Sequence, residues 1–261
     1  MLKLSPSDVE TYNRQGFLIT GHNIGADRLS TLHRAVESVI EANPDVRPER
    51  LVNIHQPGRN PQGLVGDRRF LDIAREPDIV DLVNDVIGPD IILWGAQLFC
   101  KPAGDGMAVP WHQDGYYWPI RPLANCTAWL ALDACTVGNG CLRVISGSHR
   151  ERRLFSHLRE AREGQVLDLE VKPEEIDETS IVDVELEAGQ VALLDVFLVH
   201  GSNPNRSANR RAALAMRYIP GTSYIDMELF SPRALWLLRG KDHTGRNDFD
   251  VFHRELTREE T

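Results

Sequence analysis

The apolar positions change period once along the chain. Residues 27–42 carry Leu29, Leu32, Ala35, Val36, Val39 and Ile40 at spacings of three and four, the stripe of an amphipathic helix, and Asn43-Pro44 closes it. Ahead of it, Ser5-Pro6-Ser7-Asp8 reads as a helix start with proline inside the first turn. Gly16 ends that helix, and Phe17-Leu18-Ile19-Thr20 follows as a short strand. Residues 68–86 return to the helical pattern through Leu71, Ile73, Ala74, Ile79, Val80, Leu82 and Val83; Pro77 splits the stretch in two and Gly88-Pro89 stops it. From residue 91 the character changes. Runs rich in β-branched and aromatic residues near 91–101, 127–133, 141–145, 191–196 and 212–218 predict strands. Gly138-Asn139-Gly140 and Gly147-Ser148-His149 are turn signals between them. Strands without interleaved helices predict an antiparallel sandwich, jelly roll or barrel. Residues 151–180 are polar and read as an excursion from the sheet, and 240–248 as a turn-rich tail. The expected organisation is one domain over 1–261, with a mostly helical flank (1–90), a β core (91–220) and a C-terminal extension (221–261).

Composition leaves the fold class unchanged but removes functions. Lys and Arg number 29 against 38 Asp and Glu, a net charge of −9, which excludes an extended nucleic-acid face. No stretch approaches the length of a membrane span. The first ten residues, MLKLSPSDVE, lack the apolar core of a secretory signal, so the expected location is cytoplasmic. Cys100, Cys126, Cys135 and Cys141 form no C-x-x-C pair and read as buried reduced thiols. A small molecule is the partner class that remains.

The chemistry concentrates in Trp111-His112-Gln113-Asp114-Gly115. Side chains two apart on a strand share a face, so His112 and Asp114 can offer an imidazole and a carboxylate to one point. That is two-thirds of the 2-His-1-carboxylate triad, which leaves coordination positions open. By ligand type alone the pair suits Fe(II), Mn(II) or Zn(II). The third ligand must come from far along the chain. His200 ends the apolar run 191–199, just before the turn Gly201-Ser202-Asn203-Pro204. Eleven residues on, Arg211 opens another core strand. A hairpin returning from His200 would bring its guanidinium beside the metal, where it can bind a carboxylate in bidentate fashion. Alternation should send the adjacent Arg210 outward, and Ser202 could donate to the same carboxylate.

Three ordered motifs, Trp111-His112-Gln113-Asp114, Asn139-Gly140-Cys141-Leu142 with Ser146-Gly147-Ser148-His149, and His200-Gly201-Ser202 with Arg211, resemble the phytanoyl-CoA 2-hydroxylase (phytanoyl-CoA dioxygenase) family. The resemblance runs from about residue 4 to 220. It implies a mainly β double-stranded β-helix (jelly-roll, cupin-like) with flanking helices. It also implies Fe(II) on His112, Asp114 and His200, 2-oxoglutarate held by Arg211 and Ser202 with Gln97 and Trp129 nearby, and O2 as oxidant. The implied activity is a dioxygenase that hydroxylates a C–H bond and releases succinate and CO2. Lys101-Pro102 matches a further family feature, read as a strand end. Family halogenases carry a small residue in place of the metal carboxylate, so Asp114 argues against halogenation. No basic, Gly-rich segment suggests a CoA phosphate site, and a smaller substrate is expected.

Substrate contacts are sought next to the metal strand. Tyr116, Tyr117 and Trp118 could wall the pocket, and Arg121 and Arg143 could bind an anionic substrate such as a carboxylate or phosphonate. His55 and Trp236 are further candidates. His149 closes a strand-turn motif and is given a structural role. Two other readings stay open: a cupin-type metalloenzyme that does not use 2-oxoglutarate, with no need of Arg211, and a non-catalytic binding protein that retains the fold.

Overall fold

The computed structural model describes residues 2–159, 162, 164–229 and 233–249. Ten strands carry the architecture: β1 (Phe17–Asn23), β2 (Ile91–Lys101), β3 (Val109–His112), β4 (Cys126–Ala131), β5 (Leu142–Ile145), β6 (Ile181–Val184), β7 (Gln190–Asp195), β8 (His200–Ser202), β9 (Arg211–Pro220) and β10 (Trp236–Arg239). They form two antiparallel sheets. The larger runs β1-β7-β4-β9-β2-β10, with the short strand Leu51–Val52 also paired to β2; the smaller runs β6-β5-β8-β3. This is the double-stranded β-helix.

The helices form where capping and apolar spacing agree. In α1 (Pro6–Gln15) the Ser5 hydroxyl accepts from the Asp8 amide while the Asp8 carboxylate accepts from the Ser5 amide, a reciprocal cap. Gly16 ends it in the left-handed region at φ 82°. Helix α2 (Ala26–Ala42) buries Leu32, Ala35, Val36 and Val39. Pro77 opens α4 (Pro77–Ile87) after α3 (Arg68–Ala74), so the proline divides the helices as its missing N–H requires. Ile79, Val80, Leu82 and Val83 of α4 are buried in the cluster shared with the larger sheet, each stabilising by about 1.5–3 kcal/mol.

Alternation along β9 shows how the layers divide. Ala212, Leu214, Met216 and Tyr218 join the core on the helix side, whereas Ala213 and Ala215 join the cluster between the sheets. Because the larger sheet is covered on both faces, its strands read as near-continuous apolar runs. Both flanks contribute to this sheet: β1 comes from the N-terminal segment and β10 from the C-terminal one. The excursion over 151–180 holds a small hairpin, His157–Arg159 with Leu169–Val171, before β6 begins. All four cysteines are buried and free. Among the described residues no helix is long and apolar enough to cross a membrane.

Candidate active site

The gap between the sheets holds the three residues of the candidate metal centre. His112 ends β3 and His200 opens β8, and the two pair directly across the smaller sheet. Their ring centroids lie 4.2 Å apart, and His112 Nε2 is 3.8 Å from Asp114 Oδ1. One ligand atom from each of His112, Asp114 and His200 falls within 4.8 Å of the others.

Local packing fixes each of them. His112 Nδ1 lies 2.9 Å from the Pro110 carbonyl, and His200 Nδ1 lies 3.0 Å from the Leu198 carbonyl. A carbonyl only accepts, so each Nδ1 carries the proton and each Nε2 keeps its lone pair for a metal. Burial, with the neighbouring His200 second, holds the His112 imidazole well below the ordinary histidine range, and thus neutral. Gln113 between the ligands is fully buried. Its Nε2 donates to the Phe197 and Arg153 carbonyls and its Oε1 accepts from the Phe155 amide. Asp114 does not continue the strand, as expected from sequence, but opens the 3-10 turn Asp114–Tyr116. It still shares a face with His112 because Gln113 remains extended at φ −115°, ψ 127°. The Val199 amide donates to Ser148 Oγ, so the Gly147-Ser148-His149 turn positions the residue preceding His200. His149 is tied to the Asn13 carbonyl, in keeping with a structural role.

Arg211 reaches the same cavity by a different route from the expected hairpin. It lies on the larger sheet opposite Lys101, while His200 lies on the smaller one, and residues 203–210 cross between them. The buried Arg211 guanidinium donates from Nε to the Gly140 carbonyl and from Nη1 to the Phe99 carbonyl, both at 3.2 Å. The Asn139-Gly140 motif therefore anchors the arginine, with Gly140 in the left-handed conformation at φ 78°. Among the described residues no carboxylate lies in ion-pair range of Arg211. Arg210 points outward to Asp133 and Glu37, as alternation requires. Lys101 is buried, donates from Nζ to the Asn203 carbonyl, and is pulled down to about 6 by burial and by Arg211.

Two connected chambers meet at the triad. The first is lined by His112, Asp114, His200, Ser202, Trp129 and Arg211 among others. The second shares Phe99, His112, Asp114 and Arg217 with it and extends past Gln97, Tyr117 and Trp118. Gln97 thus faces the second chamber, where its Oε1 accepts from Arg217 Nη2 at 2.9 Å. Tyr117 and Trp118 wall that chamber, but three other candidates lie outside both. Tyr116 is exposed and stacks on His157 at 3.9 Å. Arg121 sits in a peripheral two-stranded pair opposite Tyr224 and donates to its neighbour's carbonyl. Arg143 is paired with Asp183 at 2.7 Å and lies over Trp111. His55 and Trp236 contact each other edge-on, and neither lines a chamber.

Arg217 and Arg233, both lining the second chamber, were not picked out from the sequence. A signal for Arg217 was available: it follows Arg211 by six residues on one strand, and an even offset returns it to the same face. Arg233 lies beyond the predicted core and carries no periodic signal.

The family model described as phytanoyl-CoA dioxygenase (PhyH) matches residues 12–213. A probable phytanoyl-CoA dioxygenase of Caenorhabditis elegans is 32% identical over 165 residues, covering 60% of this chain and 53% of the relative. Ectoine dioxygenase of Bordetella bronchiseptica is 25% identical over 235 residues, 82% of this chain and 75% of the relative. The chain spans about half the length of several curated relatives that it matches. Among solved structures, the non-heme monooxygenase ThoJ in its apo form superposes with a TM-score of 0.74 at 24% identity, over 97% of this chain and 95% of that one. EctD from S. alaskensis, solved with 2-oxoglutarate and 5-hydroxyectoine, gives 0.68 at 21% identity over 94% and 87%. These likenesses establish the double-stranded β-helix fold.

Proposed function

The chain belongs to the phytanoyl-CoA dioxygenase family, and from that premise we propose that it is an Fe(II)- and 2-oxoglutarate-dependent dioxygenase hydroxylating an unactivated C–H bond of a small molecule. The observation that carries the reading is the convergence of His112, Asp114 and His200 in a cavity whose far wall is Arg211. Two imidazoles, each with Nε2 free of a hydrogen-bonded proton, and one carboxylate form a donor set that suits Fe(II) and leaves coordination positions open. With both bound, the metal and 2-oxoglutarate supply the reduction of O2, giving succinate, CO2 and a hydroxylated substrate.

The chain's own part is positioning and exclusion of water. The Pro110 and Leu198 carbonyls hold the imidazole protons away from the centre, so Nε2 of His112 and His200 face it. Arg211, pinned at Nε and Nη1, presents its remaining N–H groups to the distal carboxylate of 2-oxoglutarate, with Ser202 as a second donor and Trp129 as a wall. Substrate would occupy the second chamber, beyond Asp114.

Anaerobic titration of the Fe(II)-loaded protein with 2-oxoglutarate tests this through the visible charge-transfer band of the chelate. The band should appear in the wild type, need higher 2-oxoglutarate in Arg211→Ala, and be lost in His200→Ala. Its absence from iron-loaded wild type would sink the reading.

A further inference from the structure

One arginine of the second chamber, Arg217, is left with an unmet N–H. Arg217 lies on β9 and turns into the chamber, its guanidinium carbon 4.8 Å from the Trp118 ring and 5.7 Å from Trp94. Among the described residues its hydrogen bond runs from Nη2 to the side-chain oxygen of Gln97, a neutral acceptor, and its Nε is buried without a hydrogen-bond partner. Among the described residues no carboxylate comes within ion-pair range of it. Arg233 lines the same chamber, 5.2 Å from Trp94, and is drawn down to about 9 by burial and by the charge on Arg217. Among the described residues Asp114 is the sole acid lining the chamber, and in the proposed function it is committed to the metal. An arginine removed from bulk water with an unmet N–H is costly unless an anion completes it.

That anion is not the distal carboxylate of 2-oxoglutarate held by Arg211. Six residues of strand separate Arg217 from Arg211, roughly 20 Å at 3.3–3.4 Å per residue. Arg217 lines both chambers, but Trp94 and Trp118, packed against its guanidinium, line the second alone, and it is from that side that a ligand other than 2-oxoglutarate would meet it.

We infer that the substrate is a free carboxylic acid, with its carboxylate on Arg217 and its body in the second chamber, beside the edge-to-face pair Trp94 and Trp118. The inference rests on the oxygenase reading for the word substrate, and on the chamber itself for the chemistry. A planar carboxylate matches the edge of a guanidinium and supplies the acceptor Nε lacks. A CoA thioester does not: its reacting end is a neutral carbonyl and sulfur, with its phosphates many bonds away. Asn53 and Gln62, hydrogen-bonded to each other at 2.9 Å, line the same chamber.

The test uses Fe(II)-loaded, 2-oxoglutarate-saturated protein under anaerobic conditions, with a metal-free sample in parallel. Probes are straight-chain, cyclic and aromatic carboxylic acids of four to twelve carbons, each beside its primary amide, its CoA thioester and the matching alkyl phosphate. Binding is read as a change in tryptophan emission, since Trp94 and Trp118 flank the guanidinium. At least one acid should bind more tightly than its amide by about tenfold or more, the scale of a charged hydrogen bond. Arg217→Gln should remove that preference and Arg217→Lys should restore part of it, with the iron–2-oxoglutarate band still formed in both. Equal binding of acids and amides, tighter binding of thioesters or phosphates, or no acid bound at all would each overturn the inference. Arg217-dependent acid binding to protein that forms no iron chelate would instead sink the oxygenase reading and leave this one standing.

Discussion

His55 shows how a single buried group registers pH. It is fully buried and edge-on to Trp236 at 4.9 Å between centroids. Burial first, then the positive charges of Arg233 and Arg217, pull its imidazole down to about 3. Between that value and the ordinary histidine range near 6.5, the unfolded chain takes up a proton that the folded chain refuses. Stability should therefore fall as pH drops from about 6.5 towards 3, at most by about 1.4 kcal/mol per pH unit from this group. His55→Phe keeps an aromatic ring in the same packing and removes the titration. Urea denaturation of both proteins at pH 7, 6, 5 and 4 should give curves that converge at pH 7 and separate below it, with the variant the more stable. Parallel curves would mean that the imidazole gains a proton without unfolding.

The ligand-bearing elements are held close by one missing side chain. Gly201 lies between His200 and Ser202, and a Cβ there would sit 2.8 Å from the Val109 carbonyl oxygen and 3.2 Å from that of Pro110. Strand β8 must move away from β3 to admit even a methyl group, and these strands carry His200 and His112. Gly201→Ala should therefore retain the fold but weaken metal binding by roughly 10–100-fold, as other disturbances of ligand orientation do. Competition with a chelator for Co(II) measures this; unchanged affinity would show that the spacing is set elsewhere. The same strands explain what the sequence disclosed. The larger sheet was legible in β2, β4, β7 and β9 because two buried faces leave long apolar runs. The helices were legible because their stripes and their stops at Gly16, Asn43, Pro77 and Gly88 agree. The smaller sheet was harder to read. Strands β3 and β8 are three or four residues long and contain His112, His200, Gly201 and Ser202, residues chosen by chemistry instead of β propensity. Their assignment to a site came from motif order and family resemblance. Arg121 and Arg143 were sought as anion binders because they follow the metal strand in sequence, but proximity along the chain does not survive the crossing between sheets. Arg217, far along the chain and on the opposite sheet, faces the chamber instead.

On the scale of the whole molecule, the candidate site is a clamp between unequal layers. Among the described residues the larger sheet is backed by the helical cluster, whereas the smaller sheet has the loops of the excursion and the apolar cluster of Ile145, Phe155, Val171 and Val199 behind it. His112 and His200 come from the smaller sheet, Trp129 and Arg211 from the larger. A metal alone ties together parts of the less supported layer, and 2-oxoglutarate added to it joins that layer to the larger sheet through Arg211. Ligands that bind only the folded state stabilise by about 2.7 kcal/mol at a hundredfold excess over Kd, equivalent to roughly 5–10 °C in Tm for a chain of this size. Amide hydrogen exchange should show where that energy resides. Zn(II), a redox-inert stand-in for iron, should slow exchange in β3 and β8, and adding 2-oxoglutarate should extend the protection to the start of β9. Helices α2 to α4, already supported by the larger sheet, should change little. In Arg211→Ala the metal step should persist and the 2-oxoglutarate step should be lost. Equal slowing in the helices and in the smaller sheet would mean that the two layers open as one unit, and the division into a supported and a ligand-dependent layer would then fail.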